Sequence, residues 1–342
     1  MKTKIVATVC VSAATLILGI AVGSVYFPPA DILQIIAYNL FGFDLPEHIT
    51  HNRAAIVWSA RMPRVLLAFC AGAALSVSGA VMQSVLRNPL ASSFTLGVSS
   101  GASLGASLVI FLGVALPFLS LFTLPILGFV FGLGTILLVM TISRRLDPRM
   151  ENHSIILTGM VFALFINAVT TLMFALFREG TQRMVLWQMG SFSMRDWHTV
   201  YILAPITLAG IIYICMRKRE LDVMTFGEEQ AQSIGVNVKS VKMLLLVVAA
   251  ALTGGTIAFV GVIGFVDLVA PHVVRKIFGP AHRVVIPMSA VVGGAFMVLS
   301  DLAARTLMAP IELPVGAVTA IIGAPFFAYV YFSKRKKGRV ER

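Results

Sequence analysis

Charged residues are scarce in this chain, and acidic residues are the scarcer kind. Of its 342 residues, 12% are charged and 58% are hydrophobic. A soluble domain carries about a quarter of its residues as charged groups, so an ordinary water-soluble protein is excluded. Apolar runs long enough to cross about 30 Å of hydrocarbon recur along the chain. The sequence therefore predicts an all-α polytopic membrane protein with a single domain, residues 1–342.

Cysteine is also scarce. Cys10, Cys70 and Cys215 all lie within apolar runs. This placement is typical of buried packing residues and argues against a disulfide framework or a metal site. We therefore predict no bound metal in this chain.

Catalytic motifs of fixed spacing are absent. The chain contains no Gly-x-x-x-x-Gly-Lys-Ser/Thr phosphate loop, no His-Glu-x-x-His and no Gly-x-Ser-x-Gly. We therefore predict that the chain is not an enzyme, does not hydrolyse ATP itself and holds no cofactor. The lack of a nucleophile–base pair or a metal-ligand set also disfavours an intramembrane enzyme.

Basic residues, in contrast, are abundant and give a formal net charge of +12. They sit in short loops and at the C-terminus, which is where insertion topology requires them, so the charge does not indicate a nucleic-acid partner. Lys2 and Lys4 precede the first apolar run and place the N-terminus in the cytoplasm. That run is longer than the core of a signal peptide, which favours a retained helix over a cleaved signal.

The basic clusters also decide the number of crossings. Nine clear apolar spans would leave the basic tail at 334–342 outside, against the charge rule. A tenth, short crossing within 255–283, broken by Gly and Pro, returns the tail to the cytoplasm. We therefore predict about ten transmembrane helices, with both termini cytoplasmic. The other predicted spans are 5–25, 64–86, 94–115, 118–142, 153–177, 199–216, 241–260, 284–303 and 313–332.

Three arginines lie at the predicted outer face. Arg61 and Arg64 flank Pro63, and Arg305 follows Asp301 near the end of a later span. A guanidinium group binds a carboxylate through two parallel hydrogen bonds, so these side chains are candidates for docking an acidic soluble partner. The alternative is that they anchor helix ends at the interface. We interpret Asp301, close to Arg305, as a capping or interface residue.

Asp267 lies within an apolar stretch, where a carboxylate costs about 2.5–3.5 kcal/mol to insert. It is therefore a candidate for the transport path or an interface. A rival interpretation makes the protein an ion-coupled secondary transporter that uses Asp267. His272 has no second His or carboxylate at metal-ligand spacing, which argues against a metal site there. We therefore interpret His272 as a second path or interface candidate.

Residues 217–240 form the longest polar stretch on the predicted inner side. Within it, residues 226–238 predict a short helix that ends at Gly235. Such a helix below the membrane could hold a cytoplasmic partner, and a solvated connector is the alternative. The residues that we assign to partner coupling are Phe226, Gly227, Glu228, Glu229, Ile234 and Gly235.

A series of motifs follows in order along nearly the whole chain. The series includes Arg61-Met62-Pro63-Arg64, Ser78-Gly79-Ala80-Val81-Met82-Gln83, Arg87-Asn88-Pro89-Leu90-Ala91, Leu96-Gly97-Val98-Ser99-Ser100-Gly101-Ala102, Trp187-Gln188-Met189-Gly190-Ser191-Phe192, Ala270-Pro271-His272, Asp301-Leu302-Ala303-Ala304-Arg305 and Glu312-Leu313-Pro314-Val315-Gly316. It resembles the FecCD-type permease subunits of ABC importers for iron-siderophores, haem and cobalamin. One motif alone would be weak, but so many in order are specific.

The resemblance implies a type II ABC importer permease fold in the bacterial cytoplasmic membrane. It implies a second permease subunit, identical or unlike, two cytoplasmic ATPase subunits that use ATP-Mg, and an extracytoplasmic binding protein. The implied substrate is an iron chelate, first a ferric siderophore, with haem and cobalamin as alternatives. The resemblance assigns binding-protein docking to Arg61, Arg64 and Arg305, ATPase coupling to 226–238 and the cytoplasmic gate to Asn88, Leu90, Asn152 and His153.

Two positions depart from the family pattern. Asp267 stands where the family usually has Gly, and Ser92-Ser93 stands where a Pro usually follows Arg-Asn-Pro-Leu-Ala. The first departure suggests a particular partner subunit or substrate. The second leaves the shape of the gate loop open.

Overall fold

A computed structural model gives the fold and describes residues 1–23 and 25–340, with side chains except at Leu121 and from 330 onward. All regular elements in this part of the chain are helices. The all-α class predicted from the sequence is therefore confirmed. The side chains of the predicted basic tail, 334–342, lie outside the described residues.

The α-helices follow one another with short connections. The first eight are α1 Lys2–Ala21, α2 Pro29–Phe41, α3 His51–Ala55, α4 Met62–Val85, α5 Val98–Leu112, α6 Thr123–Leu146, α7 Asn152–Leu176 and α8 Thr181–Gln188. The remaining seven are α9 Trp197–Met216, α10 Lys218–Met224, α11 Glu228–Ser233, α12 Val238–Val260, α13 Val266–Phe278, α14 His282–Thr306 and α15 Val315–Val340. A π-helical turn, Ile56–Arg61, joins α3 to α4.

Every predicted span overlaps one of these helices, and the short span inferred from charge contains α13. Seven helices in the described part are long and apolar enough to cross a membrane, and α5 and the Val315–Tyr329 part of α15 are shorter apolar helices. Helix α13 has 13 residues. At 1.5 Å per residue it is about 20 Å long, less than the hydrocarbon thickness. The number of ten crossings therefore stays a prediction.

Local sequence sets several helix ends. The Asn237 side chain accepts a hydrogen bond from the Ser240 N–H and caps α12. Asp196 caps α9 in the same way through the Thr199 N–H. These short polar side chains satisfy amide groups that the first helical turn leaves unpaired.

Helix α4 is the central helix of the bundle and packs against α9, α12, α13 and α14. Glycines permit the closest of these contacts. A Cβ atom at Gly72 would overlap the backbone of Gly293 in α14, and one at Gly79 would overlap the backbone of Asp267 in α13. Small residues that let helix backbones approach are typical of membrane bundles.

Cysteine burial is the one packing expectation that is wrong. Cys70 and Cys215 are partly buried, but Cys10 is exposed on α1. An apolar run predicts an apolar environment, and lipid supplies that environment as well as protein does. All three cysteines are free, as expected.

Candidate functional site at the two ends of the helix bundle

The three predicted docking arginines lie together at one end of the bundle, which we call the outer end. It comprises the C-terminal ends of α1 and α14 and the N-terminal ends of α4 and α15. The opposite end, which carries the N-terminus, the α4–α5 loop and α10–α11, is called the inner end. Polar side chains concentrate at both.

Arg64 binds two carboxylates at the outer end. It donates to Asp301 of α14 at 2.9–3.1 Å and to Glu312, in the loop before α15, at 2.9 and 3.1 Å. Asp301 is buried and Glu312 is exposed, with side-chain exposures of 1% and 42%. Hydrogen bonding from Arg64 lowers the pKa of the Glu312 carboxyl, so this group is ionised at neutral pH. Asp301 thus joins α14 to the N-terminal end of α4, and its interpretation as a capping or interface residue stays a prediction.

Arg61 and Arg305 close the outer end of α1. Arg61 is buried, donates to the carbonyls of Ile20 and Ala21 at 2.8 and 3.1 Å, and lies 4.8 Å from the centre of the Phe27 ring. Arg305 donates to the Gly19 carbonyl. These bonds satisfy carbonyls at a helix C-terminus, where cations are favoured. These contacts support the alternative that Arg61 and Arg305 anchor helix ends. Docking by these arginines stays a prediction.

A further outer arginine, Arg195, was not singled out from the sequence. It lies in the loop before α9, and its Nε has no hydrogen-bond partner among the described residues. Burial lowers the pKa of its guanidinium. A basic residue three positions after the Trp187–Phe192 motif was the only available signal.

The predicted short helix at the inner end is present as α11. Glycines with positive φ stand on both sides of it, Gly227 at 138° and Gly235 at 89°. Phe226 and Ile234 project to the surface with exposures of 76% and 65%, whereas Ala231 packs inward. An exposed apolar pair beside a short helix is a surface to which a partner can bind. Contact with an ATPase stays a prediction.

The four predicted gate residues lie at the same inner end, in two groups. Asn88 accepts a hydrogen bond from the Leu90 N–H at 2.9 Å and so shapes the α4–α5 loop. Asn152 and His153 begin α7. Leu90 and His153 are exposed. Their role as a gate is untested.

Two buried polar links at the inner end could not be found from the sequence. Lys242 of α12 donates to Glu228 of α11 at 2.6 Å and to Asn152 at 2.8 Å. In the second link, Asp222 of α10 accepts from the His282 N–H at 2.9 Å, and the His282 ring lies 2.7 Å from the Ser84 hydroxyl of α4. Both links join the coupling segment, residues 217–240, to the helix bundle.

The two departures from the family pattern meet in the structure. Asp267 is 2% exposed, and the backbone N–H groups of Leu268 and Ser93 interact favourably with its carboxylate. A proline at 93 would have no N–H to give. The Ser93 hydroxyl lies 2.7 Å from that of Thr253 and 3.0 Å from that of Ser78. The Asp267 Oδ2 atom has no hydrogen-bond partner among the described residues.

His272 lies in the middle of α13 and is partly buried. No group of three or more His, Cys, Asp or Glu side chains that could hold a metal occurs among the residues that the structure describes.

The bundle of apolar helices, with polar contacts at its two ends, is the architecture of a multi-pass membrane protein. Residues 11–333 match the FecCD transport family, and the chain belongs to this family. Its fold is similar to that of a solved structure described as an inward-facing conformation of a metal-chelate type ABC transporter. That match has a TM-score of 0.84 and 27% identity and covers 97% of this chain and 100% of the other.

The curated relatives reported next are named as permease proteins of ABC transporters or of import or transport systems. An uncharacterized ABC transporter permease, YvrB of Bacillus subtilis, is 42% identical and covers 96% of this chain and 92% of its own length. The Fe(3+)-citrate import permease YfmE of the same organism is 34% identical, with 94% and 92% covered. The hemin transport permease HmuU of Yersinia pestis is 36% identical, with 82% and 84% covered.

Proposed function

We propose that the chain is the permease subunit of a binding-protein-dependent ABC importer that carries an iron chelate across the bacterial cytoplasmic membrane by alternating access. A ferric siderophore is the first candidate, and haem and cobalamin are alternatives. The observation that carries the proposal is membership of the FecCD family over residues 11–333. A relative named for iron(III) citrate supports the chelate class.

The inner end supports an energy-supplying partner. A short helix with exposed Phe226 and Ile234 fits a cleft on a cytoplasmic ATPase, which would bind ATP-Mg. Glu228 of α11 and the predicted gate residue Asn152 both accept a hydrogen bond from Lys242. A displacement of α11 would therefore be transmitted to Asn152. We propose two such ATPases and a second permease, identical or unlike, in the complete importer.

The outer end is the proposed docking face for the binding protein. Of the three arginines, Arg64 is the one that pairs with an exposed carboxylate, Glu312. A carboxylate of the binding protein would compete with Glu312 for the same guanidinium. Arg61 and Arg305 would hold this end of α1 in place for docking.

Transport by purified components tests the proposal. The permease is reconstituted in liposomes with its ATPase and binding protein, and uptake of an iron-55 siderophore complex is followed. Uptake should need ATP and should stop when the ATPase carries a substitution of its catalytic Glu. Uptake driven by a proton or sodium gradient without the ATPase would contradict the proposal and favour coupling through Asp267.

The ligand of the cognate binding protein decides the substrate. We expect a thermal shift of the binding protein with a ferric siderophore that is larger than with iron(III) citrate, haem or cobalamin. A larger shift with one of the other three would reassign the substrate and leave the importer class unchanged.

A further inference from the structure

Lys242 is a charged residue buried at the start of α12. It is 1% exposed, and its ammonium group donates to the Met150 carbonyl at 2.8 Å, to Asn152 Oδ1 at 2.8 Å and to Glu228 Oε1 at 2.6 Å. An ammonium group has three N–H donors, so all of them are used.

The three acceptors belong to separate parts of the chain. Glu228 is the first residue of α11, Met150 lies in the α6–α7 loop, and Asn152 is the first residue of α7. Met150 is itself buried with a positive φ of 55°, which fixes the direction of its carbonyl. One side chain therefore holds the proposed ATPase-binding helix and the predicted gate residue Asn152 at a fixed distance.

Packing alone does not require a lysine at this position. A buried charge is costly unless it is paired and hydrogen-bonded, and an apolar side chain of similar length would fill the space without that cost. The charge-assisted bonds instead give a short, directional connection that follows its acceptors when they move.

We propose that Lys242 is a positioning residue of the transport cycle, which transmits a displacement of α11 to the loop at Asn152. This inference rests on the proposed function, because α11 is displaced only if an ATPase binds there. When the ATPase moves α11, Glu228 draws the Lys242 ammonium with it, and Asn152 follows through its own bond to Lys242.

A labelling experiment on the permease–ATPase complex in liposomes tests the link without knowledge of the substrate. The three cysteines are replaced by serine, and His153→Cys reports on the start of α7 through its reaction rate with a water-soluble maleimide. The rate is measured with and without ATP, and ATP hydrolysis is measured on the same sample. The variants are Lys242→Met, Lys242→Arg and, as a control outside the coupling segment, Lys276→Met at an exposed position in the last turn of α13.

We expect ATP to change the labelling rate in the parent and in Lys276→Met. In Lys242→Met, hydrolysis should continue while the ATP-dependent change in labelling falls about fivefold or more, as for the loss of a coupling between sites. Lys242→Arg, which keeps the charge, should restore part of the response. A purely structural role would lower the yield of complex but not the response per ATP hydrolysed.

An unchanged response in Lys242→Met would overturn the inference alone. A parent complex that shows no response to ATP would overturn the proposed function as well. If Lys242→Met does not assemble, Asn152→Ala tests the same link, because it keeps the Lys242–Glu228 ion pair. It should also lose the response, and a normal response there would overturn the inference.

Discussion

At the scale of single residues, Ser93 and Asp267 act as one feature. The Ser93 backbone N–H interacts favourably with the Asp267 carboxylate. A proline at position 93 has no N–H and would remove this interaction, so we expect the residues at 93 and 267 to depend on each other. The sequence showed both departures, but their contact depends on how the α4–α5 loop meets α13, which no local pattern specifies.

A double-mutant cycle on this pair tests the dependence. Ser93→Pro should lower the free energy of unfolding by about 1–3 kcal/mol, because it removes a donor from a buried carboxylate. In the Asp267→Gly background, where no carboxylate remains, Ser93→Pro should cost less. Thermal unfolding of the purified variants in detergent measures both.

Ser93→Ala is the matched control for this cycle. It removes the hydroxyl that contacts Ser78 and Thr253 but keeps the N–H. Its cost should be the same with Asp267 and with Gly at 267. Equal costs of Ser93→Pro in the two backgrounds would contradict the pairing, since interacting sites are non-additive.

At the scale of helices, close approach to α4 holds the short helix α13 in place. A Cβ atom at Gly79 would overlap the Asp267 backbone, and Gln83 donates to the Asp267 carbonyl at 3.0 Å. Gly79→Ala should therefore lower the free energy of unfolding by about 1–3 kcal/mol, the usual cost of overpacking. Thermal unfolding in detergent measures this change.

Gly134→Ala in α6 is the comparison for Gly79→Ala. Gly134 lies in a helix interior with nothing within 4 Å of a built Cβ atom. Alanine there should be neutral or stabilising by up to about 1 kcal/mol, because alanine favours the helix. Similar destabilisation by both substitutions would mean that glycine is needed at Gly79 for some reason other than the approach of α13.

Helix positions were largely predictable from the sequence, and side-chain connections were not. The lengths of the apolar runs predicted the long helices. The distribution of basic residues predicted the segment that contains α13, although that helix is short. Gly235 gave the end of α11. The contacts of Lys242 and His282 join residues up to about two hundred positions apart, as with Ser84 and His282, so only the folded chain brings them together.

At the scale of the whole molecule, an acidic side chain of the outer end already binds the guanidinium group that a carboxylate of a binding protein would use. Glu312 is exposed and bonded to Arg64. Its pKa is lowered, so the ion pair is present at neutral pH and is lost only as the pH falls through that lowered value. If docking uses Arg64, removal of the Glu312 charge should strengthen it.

Glu312→Gln should therefore tighten binding of the cognate binding protein by about two- to fivefold, the scale of an exposed ion pair of up to ~1 kcal/mol. Surface plasmon resonance on the permease complex in nanodiscs measures the affinity. The gain should shrink from 0.1 M to 1 M salt, because the screening length falls from about 10 to 3 Å. Glu179→Gln, an equal charge change at an exposed outer position, should have a smaller effect. Equal gains from the two variants would mean that net charge acts, and that Arg64 is not the docking group.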